Sequence, residues 1–69
     1  MDAKKVINQL LLERHMTISQ LAEKLDMQPQ SLRNKLYRGN YSLKDYAVIL
    51  DILDCDLQVV TRDTRKVFE

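Results

Sequence analysis

Apolar residues recur along most of the chain at the three-and-four spacing that places them on one face of an α-helix. This pattern predicts helices over residues 2–14, 18–25, 29–38 and 42–53. The second helix has only about two turns, so it depends on tertiary packing. The small Ala22 in its middle lets another helix approach closely. The pattern therefore indicates a helical bundle.

Residues that favour helix ends mark the boundaries. Asp2 and Thr17 are candidate N-caps for the first and second helices. Pro29 suits the first position of the third helix, because its fixed φ is helical and its missing N–H is not needed there. Gly39 closes that helix, since glycine readily takes the left-handed conformation. Residues 26–28 are therefore predicted to form a turn between two helices.

The fourth helix is apolar over more of its circumference than a surface helix requires. It begins at Ser42, whose spacing from Asp45 resembles a capping box. We assign its inner stripe to Leu43, Tyr46, Ala47, Leu50 and Leu53. Further apolar residues lie off that stripe, at Val48, Ile49 and Ile52. This excess predicts a second packing surface.

The tail over residues 56–69 contains two β-prone runs around the polar residues 62–65, which predicts a short hairpin. Because an isolated hairpin is at best marginally stable, we expect it to pack on the helices or to pair with another copy of the chain. The predicted fold is mainly α, a compact four- to five-helix helix-turn-helix bundle with a short C-terminal β-hairpin or strand. It forms a single domain over residues 1–69.

Composition narrows the classes of function. The chain has one cysteine and one histidine, so neither an internal disulfide nor a metal site is expected, and no cofactor. No stretch approaches the ~20 apolar residues that span a membrane, and no secretion signal follows the N-terminus, so we expect a cytoplasmic protein. An enzyme acting on a small-molecule substrate is not expected, because convergent acids, bases and nucleophiles are lacking.

The net charge of +1 conceals an asymmetry along the chain. Residues 27–44 contain four basic residues and no acid, whereas residues 45–56 contain four acids and no base. A local basic surface is what phosphate backbones require, although an ordinary solvated surface has the same composition.

Residues 17–36 combine a helix, a three-residue turn and a second helix, with a small residue where the helices cross. At about 100° per residue, Leu32 and Leu36 mark the buried side of the third helix, and Asn34 points directly away from it. Gln30 and Ser31 lie on the same outward side. Amide and hydroxyl groups in this position can bind base edges in the major groove, or they can form a plain solvated face.

The run LAEKLDMQPQSLRNKL, followed by a glycine turn and a fourth helix that ends in LDC, resembles the Cro and lambda-repressor (XRE-type) family of helix-turn-helix regulators. The resemblance covers roughly residues 2–55. It implies a helical bundle, sequence-specific DNA binding as a dimer, and control of transcription. It also implies base contacts from Gln28, Gln30, Ser31 and Asn34.

The chain departs from this family at three positions. Asp26 in the turn and Asp54 after the fourth helix stand where glycine is usual, and aspartate can also visit the left-handed region. Ile18 stands where the family often has a phosphate-binding glutamine, a role that passes to Thr17 or Gln20. A β-prone tail in place of a fifth helix is similar to small phage-type members, in which the tail serves dimerisation.

Two further groups of residues are assigned to partners. Phosphate contacts are expected from Thr17, Gln20, Arg33, Lys35, Arg38, Tyr41 and Lys44. For Tyr41 a place in the core is an equal alternative. Homodimer contacts are expected from Ile52, Val59, Val60, Val67 and Phe68.

The function predicted from these observations is sequence-specific binding of double-stranded DNA by a transcriptional regulator, a repressor in preference to an activator, with helix 29–38 in the major groove. The alternative is a protein-interaction module that keeps the helix-turn-helix fold but binds another regulator or a polymerase subunit. A DNA affinity that falls steeply with salt concentration would support the DNA-binding regulator over the protein-interaction module.

Overall fold

The computed structural model describes residues 2–68 and contains, over that range, four α-helices followed by a short antiparallel hairpin. The helices are α1 (Ala3–Glu13), α2 (Ile18–Lys24), α3 (Pro29–Arg38) and α4 (Leu43–Ile52), and the strands are β1 (Val59–Val60) and β2 (Val67–Phe68). The predicted fold class, mainly α with a C-terminal hairpin, is confirmed. Met1 and Glu69, the ends of the predicted domain, lie outside the described residues.

Side chains cap three of the helices at their N-termini. The Asp2 carboxylate accepts a hydrogen bond from the backbone N–H of Lys5 at the start of α1. Thr17 and Gln20 form a reciprocal capping box on α2, and Ser42 and Asp45 form one on α4. Each box satisfies two backbone N–H groups that have no partner within the helix.

All four helices end in the same way. The chain turns through a left-handed residue at His15, Asp26, Gly39 and Asp54, with φ between 52° and 66°. In each case the next N–H donates to a carbonyl five residues back, over 2.9 to 3.2 Å. This is the Schellman geometry, which satisfies orphan carbonyls and redirects the chain sharply.

The core lies where the four helices meet. Its buried side chains are Ile7, Leu11, Leu21, Ala22, Leu32, Leu36, Tyr46, Ile49, Leu50 and Leu53. Ala22 is completely buried between α2 and its neighbours, as its small size in the middle of α2 suggested. The α2–α3 unit is therefore anchored on its inner side by α1 and α4.

The inner stripe assigned to α4 is wrong at two positions. Leu43 is 72% exposed and Ala47 is also exposed, whereas Ile49, placed off the stripe, is buried. Because α4 is apolar almost all round, more than one stripe fits its sequence, and the contacts with other helices select one. An ion pair also joins Lys35 of α3 to Asp45 of α4, with 3.2 Å between Nζ and Oδ2.

Arg14 connects the end of α1 to the end of α4. Its Nε donates to the carbonyl of Leu53 over 2.9 Å and its Nη2 donates to the carbonyl of Asp54 over 3.1 Å. These carbonyls belong to the C-cap of α4 and the residue after it, where a cation is favoured by the helix dipole. The guanidinium thus completes the bundle at the end opposite the α3–α4 turn.

The hairpin pairs Val59 with Phe68 and Val60 with Val67. Its loop is closed by the N–H of Arg65, a left-handed residue, which donates to the carbonyl of Thr61 over 3.1 Å. All four strand residues are exposed, so neither face of the hairpin is covered by the helices. Among the described residues, no helix is long and apolar enough to cross a membrane.

Candidate nucleic-acid interface

The outer side of α3 is uncovered. Leu32 and Leu36 are buried beneath it, as their spacing predicted. The polar residues on the outer side are all exposed: Gln30, Ser31, Asn34 and Arg38. The helix therefore presents amide, hydroxyl and guanidinium groups to solvent on a rigid base.

Gln30 and Asn34 are joined to each other. The Nε2 of Gln30 donates to the Oδ1 of Asn34 over 3.1 Å, one helical turn apart. This bond uses one donor and one acceptor, so Gln30 keeps its Oε1 acceptor and Asn34 keeps its Nδ2 donors. The pair holds a donor and an acceptor in fixed positions, which is what recognition of a base edge requires.

Gln28 lies at the N-cap of α3 with extended backbone and makes no capping hydrogen bond through its side chain. Its amide is exposed and remains available to a ligand. The first turn of α3 contains no acidic residue, so the positive end of the helix dipole is not neutralised there. This end of the helix suits an acceptor atom or an anion.

Thr17 and Gln20 stand exposed at the N-terminus of α2 and are engaged with each other. The N–H of Thr17 donates to Oε1 of Gln20 over 2.8 Å, and the N–H of Gln20 donates to Oγ1 of Thr17 over 3.1 Å. The capping box uses acceptor atoms of both side chains. The amide Nε2 donors of Gln20 and the hydroxyl proton of Thr17 are left for an outside acceptor.

The predicted basic contacts divide into two kinds. Lys35 is half-buried and its ammonium is held by Asp45. Hydrogen bonding from the Ser42 backbone N–H and then from Lys35 lowers the pKa of Asp45, so that carboxylate stays charged and keeps the pair intact. Arg33, Arg38 and Lys44 are exposed and form no ion pair with another residue of the 2–68 range.

Tyr41 is half-buried and packs against the core, with its ring centroid 6.2 Å from that of Tyr46. The sequence left two roles open for Tyr41, a place in the core and a contact with phosphate. This packing corresponds to the first role, and a phosphate contact from the Tyr41 hydroxyl stays a prediction. Burial raises the pKa of Tyr46, with a smaller contribution from Tyr41. Tyr46 therefore remains neutral across the physiological range.

The sequence analysis missed two residues of this surface, Tyr37 of α3 and Lys4 of α1. Tyr37 is 79% exposed although it is a large aromatic residue, and the ammonium of Lys4 lies 5.1 Å from its ring centroid. Tyr37 follows Gln30 and Asn34 at positions i, i+4 and i+7, so helical spacing already placed it on the same side. No sequence pattern indicated that Lys4 of α1 would lie next to α3.

The residues expected at a dimer contact lie in two places. Ile52 is half-buried and packs against the core. The other four, Val59, Val60, Val67 and Phe68, are the exposed strand residues of the hairpin. No group of three or more metal-ligating side chains converges within residues 2–68.

The arrangement of α2, turn and α3 is the one described by a known family of DNA-binding domains. A family model for the Cro/C1-type HTH DNA-binding domain matches residues 6–58, which is most of the chain. This chain belongs to the Cro/C1-type family. Membership in it supports a DNA-binding regulator in general, in a family that is typically non-enzymatic. Comparison with curated proteins and with solved structures gives no significant match.

The Cro/C1-type match begins within α1, includes α2, α3 and α4 in full, and stops before the hairpin. The resemblance noted on the α2–α3 segment is confirmed. The hairpin and the residues before Val6 lie outside the match.

Proposed function

We propose that this Cro/C1-type protein is a sequence-specific, double-stranded DNA-binding transcriptional repressor of the cytoplasm, with α3 in the major groove. The observation that carries the proposal is the uncovered outer side of α3. Its leucines are buried and its polar side chains face solvent. A groove of about 12 Å width admits such a helix.

In this proposal base edges are read by Gln28, Gln30, Ser31 and Asn34, and the joined amides of Gln30 and Asn34 are the centre of the readout. An amide that is both donor and acceptor matches adenine, with roughly 1–3 kcal/mol of discrimination for each well-formed bidentate pair. The phosphates on either side are bound by Thr17, Gln20, Arg33, Lys35, Arg38, Tyr41 and Lys44. Among these, Lys35 contributes least, since Asp45 already balances its charge.

We further propose a homodimer, paired through the hairpin, that binds two half-sites about one helical turn apart. The exposed valines and Phe68 on both faces of the hairpin support this proposal. Repression then follows from occupation of the site. A selection of bound sequences from random duplexes identifies the site and its symmetry together.

The test compares two outer residues of α3. We expect Asn34→Ala to lower affinity for the selected site by about tenfold and to relax preference at one base position. Arg38→Ala should weaken all sequences alike and reduce the slope of log affinity against log salt by about 0.9. Fluorescence anisotropy with selected and scrambled duplexes measures both. Identical effects of the two variants would refute this division of roles. The control is Lys24→Ala, at the C-terminal end of α2.

One observation favours a second function. Leu43 and Val48 of α4 are exposed apolar residues, which suits a protein partner such as another regulator or a polymerase subunit. Under this alternative, DNA binding is absent or insensitive to salt. A steep salt dependence supports the DNA-binding function instead.

A further inference from the structure

A shallow groove runs between the N-terminal half of α1 and the outer side of α3. It is lined by Lys4 and Asn8 of α1, Ile18 of α2, and Gln30, Arg33, Asn34, Leu36 and Tyr37 of α3. Two of these, Gln30 and Asn34, are the amides proposed to read bases. A duplex that lies on those amides therefore passes over the groove.

Tyr37 forms one wall of the groove without serving the core. The anchoring of α3 comes from Leu32 and Leu36, which are buried, whereas Tyr37 is 79% exposed. The ammonium of Lys4 lies over its ring, 5.1 Å from the centroid. Stacking on an aromatic ring positions a flexible lysine, yet it leaves N–H donors of the ammonium free for a second acceptor.

The charges around α3 are unequal on its two sides. On the side toward α4, Lys35 is paired with Asp45. On the side toward α1, the groove holds Lys4 and Arg33, and no carboxylate lies among its lining residues. Neither cation forms an ion pair within the described part of the chain. The groove on the α1 side thus holds two cations that no carboxylate among the described residues balances.

We propose that Lys4 and Tyr37 together bind a backbone phosphate of the DNA strand that passes the α1 side of α3. The ammonium of Lys4 donates to a phosphate oxygen while the ring beneath it holds its position, and the Tyr37 hydroxyl donates a second hydrogen bond. Phosphate contacts of this kind fix the register of the protein on DNA and do not depend on sequence. The inference rests on the proposed function and makes α1 part of the DNA-binding surface.

The first test uses the full chain and its selected duplex. Lys4→Gln is expected to weaken binding about tenfold and to reduce the salt slope by about 0.9, the loss of one phosphate contact. Tyr37→Phe keeps the ring and loses only the hydroxyl, so it is expected to weaken binding several-fold with an unchanged slope. Lys4→Arg should retain the wild-type slope. Lys24→Gln, which removes the same charge outside the groove, is the matched control.

The slope of log affinity against log salt distinguishes phosphate binding by Lys4 and Tyr37 from a merely structural role. A variant that only loses stability still contacts the same number of phosphates, so its slope does not change. Each variant is also checked for its melting temperature. The inference is overturned if Lys4→Gln has the same slope as Lys24→Gln, or if Tyr37→Phe binds as the wild type does. Wild-type protein that fails to bind any duplex instead overturns the proposed function itself.

A second test locates the phosphate. Single neutral methylphosphonate groups are placed in turn along both strands of the selected site. We expect one position at which the substitution weakens the wild type about tenfold but weakens Lys4→Gln much less, because the contact between the two charges is already lost. Absence of any such position overturns the inference.

Discussion

Four residues in the left-handed conformation decide how this chain turns at the ends of its four helices. Only Gly39 takes that conformation freely, and the chain has one glycine in all. His15, Asp26 and Asp54 adopt it with a side chain, which costs roughly 1–2 kcal/mol for an ordinary residue and less for aspartate. The Schellman hydrogen bonds at each helix end compensate for that cost. Local strain is therefore distributed over the turns and not concentrated at the proposed DNA-binding surface.

This strain predicts that Asp54→Gly stabilises the protein. Glycine relieves the left-handed strain but costs unfolded-state entropy, so the expected net gain is about 0.5–1 kcal/mol. The Arg14 hydrogen bond to the Asp54 carbonyl is retained, because it involves the backbone. Urea unfolding at constant m-value measures the change. The control is Asp56→Gly, which removes a nearby carboxylate at a residue without positive φ and should destabilise the protein. Equal effects of the two substitutions on the free energy of unfolding would contradict the role of backbone strain.

At the scale of elements, Asp45 joins the last two helices through two functions. Its carboxylate accepts from the Ser42 N–H over 3.1 Å as part of the α4 cap, and it pairs with Lys35 of α3. Both contacts favour the charged form, and the Ser42 hydrogen bond is the larger cause of its lowered pKa. Asp45 thus links the cap of α4 to a cation of α3 as long as its carboxylate is charged.

The pH dependence of stability follows from the direction of that shift. Because the pKa of Asp45 is lower in the folded state, its contribution is complete above its unfolded pKa of about 3.9 and is lost as pH falls through the lower folded value. We expect the melting temperature of the wild type to fall more steeply below about pH 4 than that of Asp45→Asn. Thermal unfolding followed by circular dichroism from pH 2 to 7 measures the difference.

The control for this experiment is Asp51→Asn, which removes a carboxylate from the same helix without touching either contact of Asp45. It should keep the wild-type dependence below pH 4. A carbon NMR titration gives the Asp45 pKa directly, and a value at or above 3.8 would contradict the assignment.

At the scale of the whole molecule, local sequence patterns predicted the helices, their N-caps and the exposure of Gln30, Ser31 and Asn34. They could not predict contacts between distant residues. Arg14 binds the carbonyl of Leu53, 39 residues away, and neither residue type nor spacing indicates that pairing. The prediction of which α4 residues face the core was wrong at two positions for the same reason, because the rotation of α4 about its axis depends on its contacts with α2 and α3. The groove beside Tyr37 likewise exists only because α1 lies next to α3.

The hairpin has no comparable support from the rest of the molecule. The chain is elongated, 42 by 24 by 18 Å, and both faces of the hairpin are exposed, with Val59 at 68% on one face and Val67 at 44% on the other. A two-stranded hairpin of this kind is marginally stable alone and has open edges. A second copy of the chain can cover these edges symmetrically, as a two-fold DNA site requires.

The dimer proposal therefore predicts the effect of a double substitution, Val59→Thr with Phe68→Thr. These paired residues share one face of the hairpin, and threonine keeps β-propensity while reducing apolar area. We expect sedimentation at tens of micromolar to change from dimer to monomer, with affinity lost for the two-half-site duplex and retained for a single half-site. Val48→Thr, which alters an exposed valine of α4, should leave the dimer intact. A dimer that survives the hairpin substitutions but dissociates with Val48→Thr would move the interface to α4, because the apolar surface that holds the two copies together must then lie there.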